Sequence, residues 1–201
     1  MTLRKDLAII ADWIAPRSRI LDLGCGEGEL LAYLRAEKGV QGYGVEIEEA
    51  RVVAAIRRGI PVIQQDLDQG LRNFADQSVD TVVLSLTLQA TTYPRELLLE
   101  MLRVGREVIV TFPNMGHWHA LWQLGICGRM PMTDVLPHTW YDTPNIHLCT
   151  IRDFESLCHD NGIAVHQRVV LNDLRRETWR NRLLPNLFGE VALYRCALMV
   201  R

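Results

Sequence analysis

The sequence predicts an α/β fold, a mostly parallel β-sheet with helices packed on both faces. Three observations predict it. Strand-like and helix-like segments alternate from the amino terminus to residue 112, the pattern produced by crossover connections between parallel strands. Val79–Leu86 is a near-continuous apolar run, suited to a central strand buried on both faces. Arg19–Leu31 reads as a strand, a glycine turn (Gly24, Gly26, Gly28) and the opening of a helix, the turn with which open α/β sheets hold a ligand at a strand's carboxyl end.

Each element has a local reason. Leu3, Leu7, Ile10 and Ile14 recur at helical spacing, so the first fifteen residues should form an amphipathic helix that stops near Pro16. Strands are expected at Arg19–Leu23, Gln41–Ile47, Pro61–Gln65, Val79–Leu86 and Glu107–Phe112. Helices are expected between them at Glu29–Lys38, Glu48–Arg58 (closed by Gly59) and Pro94–Val104. Thr150 should start another helix, capped by Asp153, with Ile151, Phe154, Leu157 and Cys158 on its buried face and Gly162 at its close. Two apolar strands follow, Ala164–Leu171 and Val191–Val200, joined by a loop rich in arginine (Arg175, Arg176, Arg180, Arg182).

Pro113–Cys149 breaks the rhythm. It carries four prolines, three glycines, four histidines and three tryptophans where a bare α/β core needs only a short connection, and connections this long are usually functional or have structure of their own. Trp118, Leu121, Trp122 and Ile126 share one face of a short helix. That face is first expected to pack onto the sheet; the alternative is a lid or a partner surface. His117, His119, Tyr141, Asp142 and His147 are candidate general bases, with His117, Tyr141 and His147 foremost. The His and Cys spacings here match no usual zinc pattern, so no metal site is expected.

The 201 residues suit a single domain spanning 1–201 with an insert at 113–149. A net charge of −2 gives no electrostatic reason for a nucleic-acid or anionic-membrane partner. The five cysteines are scattered and without a C-x-x-C pair, as in reduced cytoplasmic proteins. Neither a signal peptide nor a membrane-span length of apolar sequence is found.

The glycine turn is crowded by acids. Asp22, Glu27 and Glu29 flank it, and no Lys or Arg lies between Arg19 and Arg35. Carboxylates this close would repel a pyrophosphate, so a ligand with cationic groups and no phosphate fits better. S-adenosylmethionine carries an ammonium and a sulfonium at one end and adenosine at the other. Glu46 ends the second strand, 24 positions after Asp22, where a carboxylate can accept from ribose hydroxyls. Asp66 ends the third, where one can accept from an adenine amino group.

The run D-L-G-C-G-E-G-E-L with Glu46 and Asp66 resembles the class I S-adenosylmethionine-dependent methyltransferases. More narrowly, nearly the whole chain resembles the methionine biosynthesis family MetW. The carrying segments include G-Y-G-V-E-I, L-T-L-Q-A, E-M-L-R-V-G-R, F-P-N-M-G-H-W and W-Y-D-T-P-N-I-H-L-C-T-I-R-D-F. The resemblance implies a seven-stranded Rossmann-like methyltransferase fold of order 3-2-1-4-5-7-6 with the last strand antiparallel. It implies that Asp22, Gly24, Gly26 and Gly28 hold the methionine part of S-adenosylmethionine, Glu46 the ribose, and Ile47, Asp66 and Leu67 the adenine. It also implies a role in methionine biosynthesis beside a homoserine O-acyltransferase of the MetX type. The alternative is an active methyltransferase on a small-molecule acceptor. Gln89 stands near where many small-molecule methyltransferases carry a histidine beside the sulfonium. No N/D-P-P-Y/F motif follows the fourth strand, which argues against methylation of DNA adenine or protein glutamine.

Overall fold

The structure is a computed structural model that describes residues 3–172 and 177–199. Its strands are β1 (Arg19–Leu23), β2 (Gln41–Glu46), β3 (Val62–Gln64), β4 (Val79–Ser85), β5 (Gly105–Pro113), β6 (Ile163–Leu171) and β7 (Val191–Leu198). They form one seven-stranded sheet of order β3-β2-β1-β4-β5-β7-β6, the expected order. β1 through β5 pair in parallel, and β7 runs antiparallel to both β5 and β6.

Side chains alternate across each strand, and the sheet thereby separates two cores. On one face Ile20, Val83 and Ile109 pack with α1 (Lys5–Trp13), α2 (Glu29–Lys38) and α3 (Glu49–Arg57). On the other, Leu21, Leu23, Val82, Leu84 and Phe112 pack with α4 (Pro94–Val104) and α6 (Ile151–Asp160). There Phe154 sits between Phe112 and Tyr194, with ring centroids 4.8 and 4.7 Å away.

The differences from expectation are local. α1 ends at Trp13, and Ile14 is already extended. Pro16 disfavours helix for the residue before it, and the Lys38 ammonium donates to the carbonyls of Ala11 and Ile14, closing the helix early. Leu157 is only partly buried. The arginine-rich loop contains α7 (Trp179–Leu183) and α8 (Pro185–Phe188). Thr178 caps the first by accepting from the Asn181 N–H, and Pro185 opens the second. Arg175 and Arg176 lie outside the described residues. As expected, Thr150 and Asp153 form a full capping box at α6.

The insert departs furthest. It contains α5 (Trp118–Gly125), of which only Ala120 is buried. The expectation that Trp118, Leu121, Trp122 and Ile126 cover the sheet is corrected: all four are about half exposed or more. Helical periodicity says that these residues share a face but not what that face meets.

Candidate functional site

The site is built at the carboxyl ends of β1, β2 and β4, where the chain leaves the sheet in opposite directions and a crevice opens. Two cavities of about 390 and 400 Å³ meet there, sharing Gly24, Arg51, Leu86 and Thr87 in their walls. The first is lined by Glu46, Ile47, Asp66 and Leu67, and the second by Asp22, Gly24 and Gly26. The acids expected along the motif therefore border one two-part cleft.

The turn after β1 is shaped by packing. Gly24 has φ +67°, and a Cβ there would stand 2.5 Å from Thr87 Oγ1, so β1 and the β4 exit can meet only at a glycine. Gly28, at φ +75°, lines neither cavity. A Cβ there would press within 3.2 Å of Ala55 and Ile60, so its place in the motif lets α2 approach α3.

Four of the turn's N–H groups are committed. Those of Gly24 and Cys25 both donate to the Val45 carbonyl, at 2.8 and 3.1 Å. Gly26 N–H donates to Glu46 Oε2 at 2.9 Å, and Gly28 N–H to the Cys25 carbonyl. These four donors are thereby withheld from a phosphate, which dinucleotide-binding turns receive on backbone N–H groups. Glu46 Oε1 also accepts from the N–H groups of Ile47 and Glu48. This buried carboxylate thus fixes the turn to the end of β2 while lining the cleft.

Asp22 is the strongest electrostatic feature. It is 3% exposed, and burial, then the nearby Glu46 charge, pushes its carboxyl up to about 7. No group among the described residues hydrogen-bonds it. Burial, then Asp22 and Glu46, push the Cys25 thiol up to about 12, which makes it a poor nucleophile.

Three arginines lie here that the local sequence gave no sign of. Arg4, Arg51 and Arg58 line the Asp22 cavity. Each is paired with an acid: Arg58 with Glu27 at 2.6 Å, Arg51 with Glu48 at 2.7 Å, Arg4 with Asp6 at 2.7 Å. The crowding of acids read from the turn is therefore partly offset from α1 and α3, while Asp22 keeps no such partner.

At the nucleoside end, Asp66 Oδ1 accepts from the Asp68 N–H and caps a short 3-10 turn containing Leu67. Ile47 is 60% exposed and forms an apolar wall. Gln89 is buried in the same wall, its Nε2 donating to the Leu86 carbonyl. Its own carbonyl accepts from the N–H groups of Ile146 and His147, at 2.7 and 3.0 Å, and Pro144 and Asn145 of the insert complete the cavity. Sequence reading missed this hook, because a backbone carbonyl carries no residue signature.

The candidate bases lie elsewhere. His117 is buried at the start of α5, and His119 contacts Gln123. Tyr141 and Asp142 are exposed on the insert, and the ring of His147 meets the Thr92 carbonyl. None of the five lines the cleft. Among the described residues no group of three or more potential metal-ligating side chains comes together, and no helix is long and apolar enough to cross a membrane.

The fold is that of the S-adenosylmethionine-dependent methyltransferases. One such protein from Mesorhizobium loti superposes with a TM-score of 0.71 at 17% identity, over 96% of this chain and 97% of that one. A [4+2]-cyclase, SpnF, superposes with a TM-score of 0.69 at 14% identity over 98% of this chain and 82% of that one, so the fold leaves the chemistry open. The chain belongs to the methionine biosynthesis protein MetW family, whose profile matches residues 4–196. A bifunctional methionine biosynthesis protein MetXA/MetW from Rhodopirellula baltica is 37% identical over 178 residues, 84% of this chain. The match spans only 29% of that longer relative.

Proposed function

We propose that this protein binds S-adenosylmethionine in the two-part cleft and works beside a homoserine O-acyltransferase in methionine biosynthesis, the nucleoside adjusting their association. The observation that carries the reading is Asp22, a buried carboxylate at the glycine turn with no partner of its own. A buried charge is tolerated when paired, and the ammonium or sulfonium end of such a ligand supplies the missing charge. Gly24 and Gly26 would flank that end, and Gly28 would shape the turn. Glu46, with one acceptor direction left, would take a ribose hydroxyl, and Ile47, Asp66 and Leu67 would border the adenine. Arg4 and Arg51 give the ligand's carboxylate a positive neighbour.

The acyltransferase partner is supported by the relative that joins MetXA and MetW in one chain. The Gln89 hook supports coupling, since one residue both walls the cleft and carries the insert. Coupling of this kind is reciprocal: the nucleoside changes partner affinity by the factor with which the partner changes nucleoside affinity. Calorimetry of S-adenosylmethionine with and without the acyltransferase tests it. Different affinities are expected, and equal ones end the regulatory half. Uptake of NAD or ATP with indifference to millimolar S-adenosylmethionine ends the cofactor half. None of the five candidate bases lines the cleft, which favours binding over transfer, so a tritiated-methyl assay against cell extract should show no turnover.

A further inference from the structure

The insert keeps large apolar side chains in solvent. Trp118, Leu121, Trp122, Leu124 and Ile126 are exposed on and just after α5. Met130, Met132, Trp140 and Tyr141 are exposed beside them and line a cavity of about 470 Å³. The two groups are joined: Gln123 of α5 donates to the Met132 carbonyl and accepts from the Met132 N–H, both at 2.9 Å. These nine side chains, 44–76% exposed, present on the order of 1,000 Å² of mostly apolar surface. A monomer's largest patch is typically about 300–600 Å², and one side of a stable interface is about 800 Å².

The charge pattern says what kind of surface fits. From Trp118 to Tyr141 the sequence carries one arginine, Arg129, and one acid, Asp134, a depletion typical of an interface centre. The cavity between the methionines and Trp140/Tyr141 is a socket for a protruding apolar side chain. We infer that this surface is where the acyltransferase docks, an inference that rests on the function proposed above. The area is what a lasting protein partner needs, and the Rhodopirellula relative holds its MetXA component on the same chain as its MetW component. A weakly charged, apolar face with an aromatic or aliphatic knob is the matching chemistry.

The experiment mixes the full-length protein with its host's purified homoserine O-acyltransferase and reads affinity by calorimetry and complex size by light scattering. The double variant W140A/Y141A and, separately, W122A are compared with W179A, which truncates an equally exposed tryptophan on α7 that is not one of the nine. S-adenosylmethionine binding and thermal melting of each variant check the fold. W140A/Y141A is expected to lose about 30-fold or more in partner affinity, with W179A within twofold of the unaltered protein. An intact partner affinity in both surface variants overturns the docking site while leaving the proposed function standing. Absence of any complex with the unaltered protein overturns both. A self-association abolished by W140A/Y141A, with acyltransferase binding unchanged, assigns the surface to a second copy and overturns the inference.

Discussion

Phe112 at the end of β5 is fully buried against Phe154 and Tyr194, whereas Trp118, six residues on, is half in solvent. The same contrast runs through the two regions. Along β1, β4 and β5 the apolar side chains are closed off on both faces. In the insert, side chains as large or larger stay open. Apolar burial is the main force that folds a domain, so a region that leaves it unused contributes little to folding and is available for contact. The cleft lies at the seam, with walls from both regions.

The largest test of the contrast is a pair of truncations. Phe112→Ala should cost about 3–5 kcal/mol in urea unfolding, through the cavity left in the aromatic cluster. Trp140→Ala should change stability by about 0.5 kcal/mol or less, and similar losses from both would dissolve the comparison. Next comes Asp22→Asn, which keeps shape and removes charge. It should weaken S-adenosylmethionine by about 100-fold while raising the melting temperature at pH 8, because an unpaired buried charge has gone.

The pH dependence follows with its sign. The folded carboxyl of Asp22 is raised from 3.8 to about 7, so the folded state holds more protons than the unfolded one between those values. Its contribution is fully present below pH 3.8 and is lost as pH rises through about 7. Asp22→Asn should flatten that decline in a pH series of melts. Affinity for a cationic ligand runs the other way, tightening up to tenfold per pH unit below 7 and levelling above it. The smallest effect belongs to the border of the insert. Thr150→Ala removes one half of the α6 capping box and should cost about 1 kcal/mol, with nucleoside affinity unchanged by calorimetry.

Sequence reading reached the sheet because its signals are local. Strand runs such as Val79–Leu86 and the helix from Pro94 to Val104 state their own periodicity, and the observed β4 and α4 differ from them by at most one residue, whereas α1 is shorter at both ends than the first fifteen residues expected. The order of the strands came from the family resemblance, not from periodicity. The acid–glycine–acid pattern was legible because Asp22 and Glu46 lie near the carboxyl ends of neighbouring parallel strands, Asp22 opposite Gly44 and Glu46 two residues further on. What meets what was not. Arg58 reaches Glu27 across 31 positions, and α5 shows its apolar face to water although its spacing is that of a packed helix. The Thr178 cap and Pro185 that make α7 and α8 were present in the sequence, but the arginines around them read as a loop.

With the nucleoside proposed above as its ligand, Asp22 would make the cleft a proton-for-cation exchanger. Below neutrality its carboxyl is protonated, so taking in a sulfonium or ammonium there sends a hydrogen ion to solvent, and the local charge is unchanged by the swap. The heat released on binding should then shift with the ionisation enthalpy of the buffer, most strongly in acidic media.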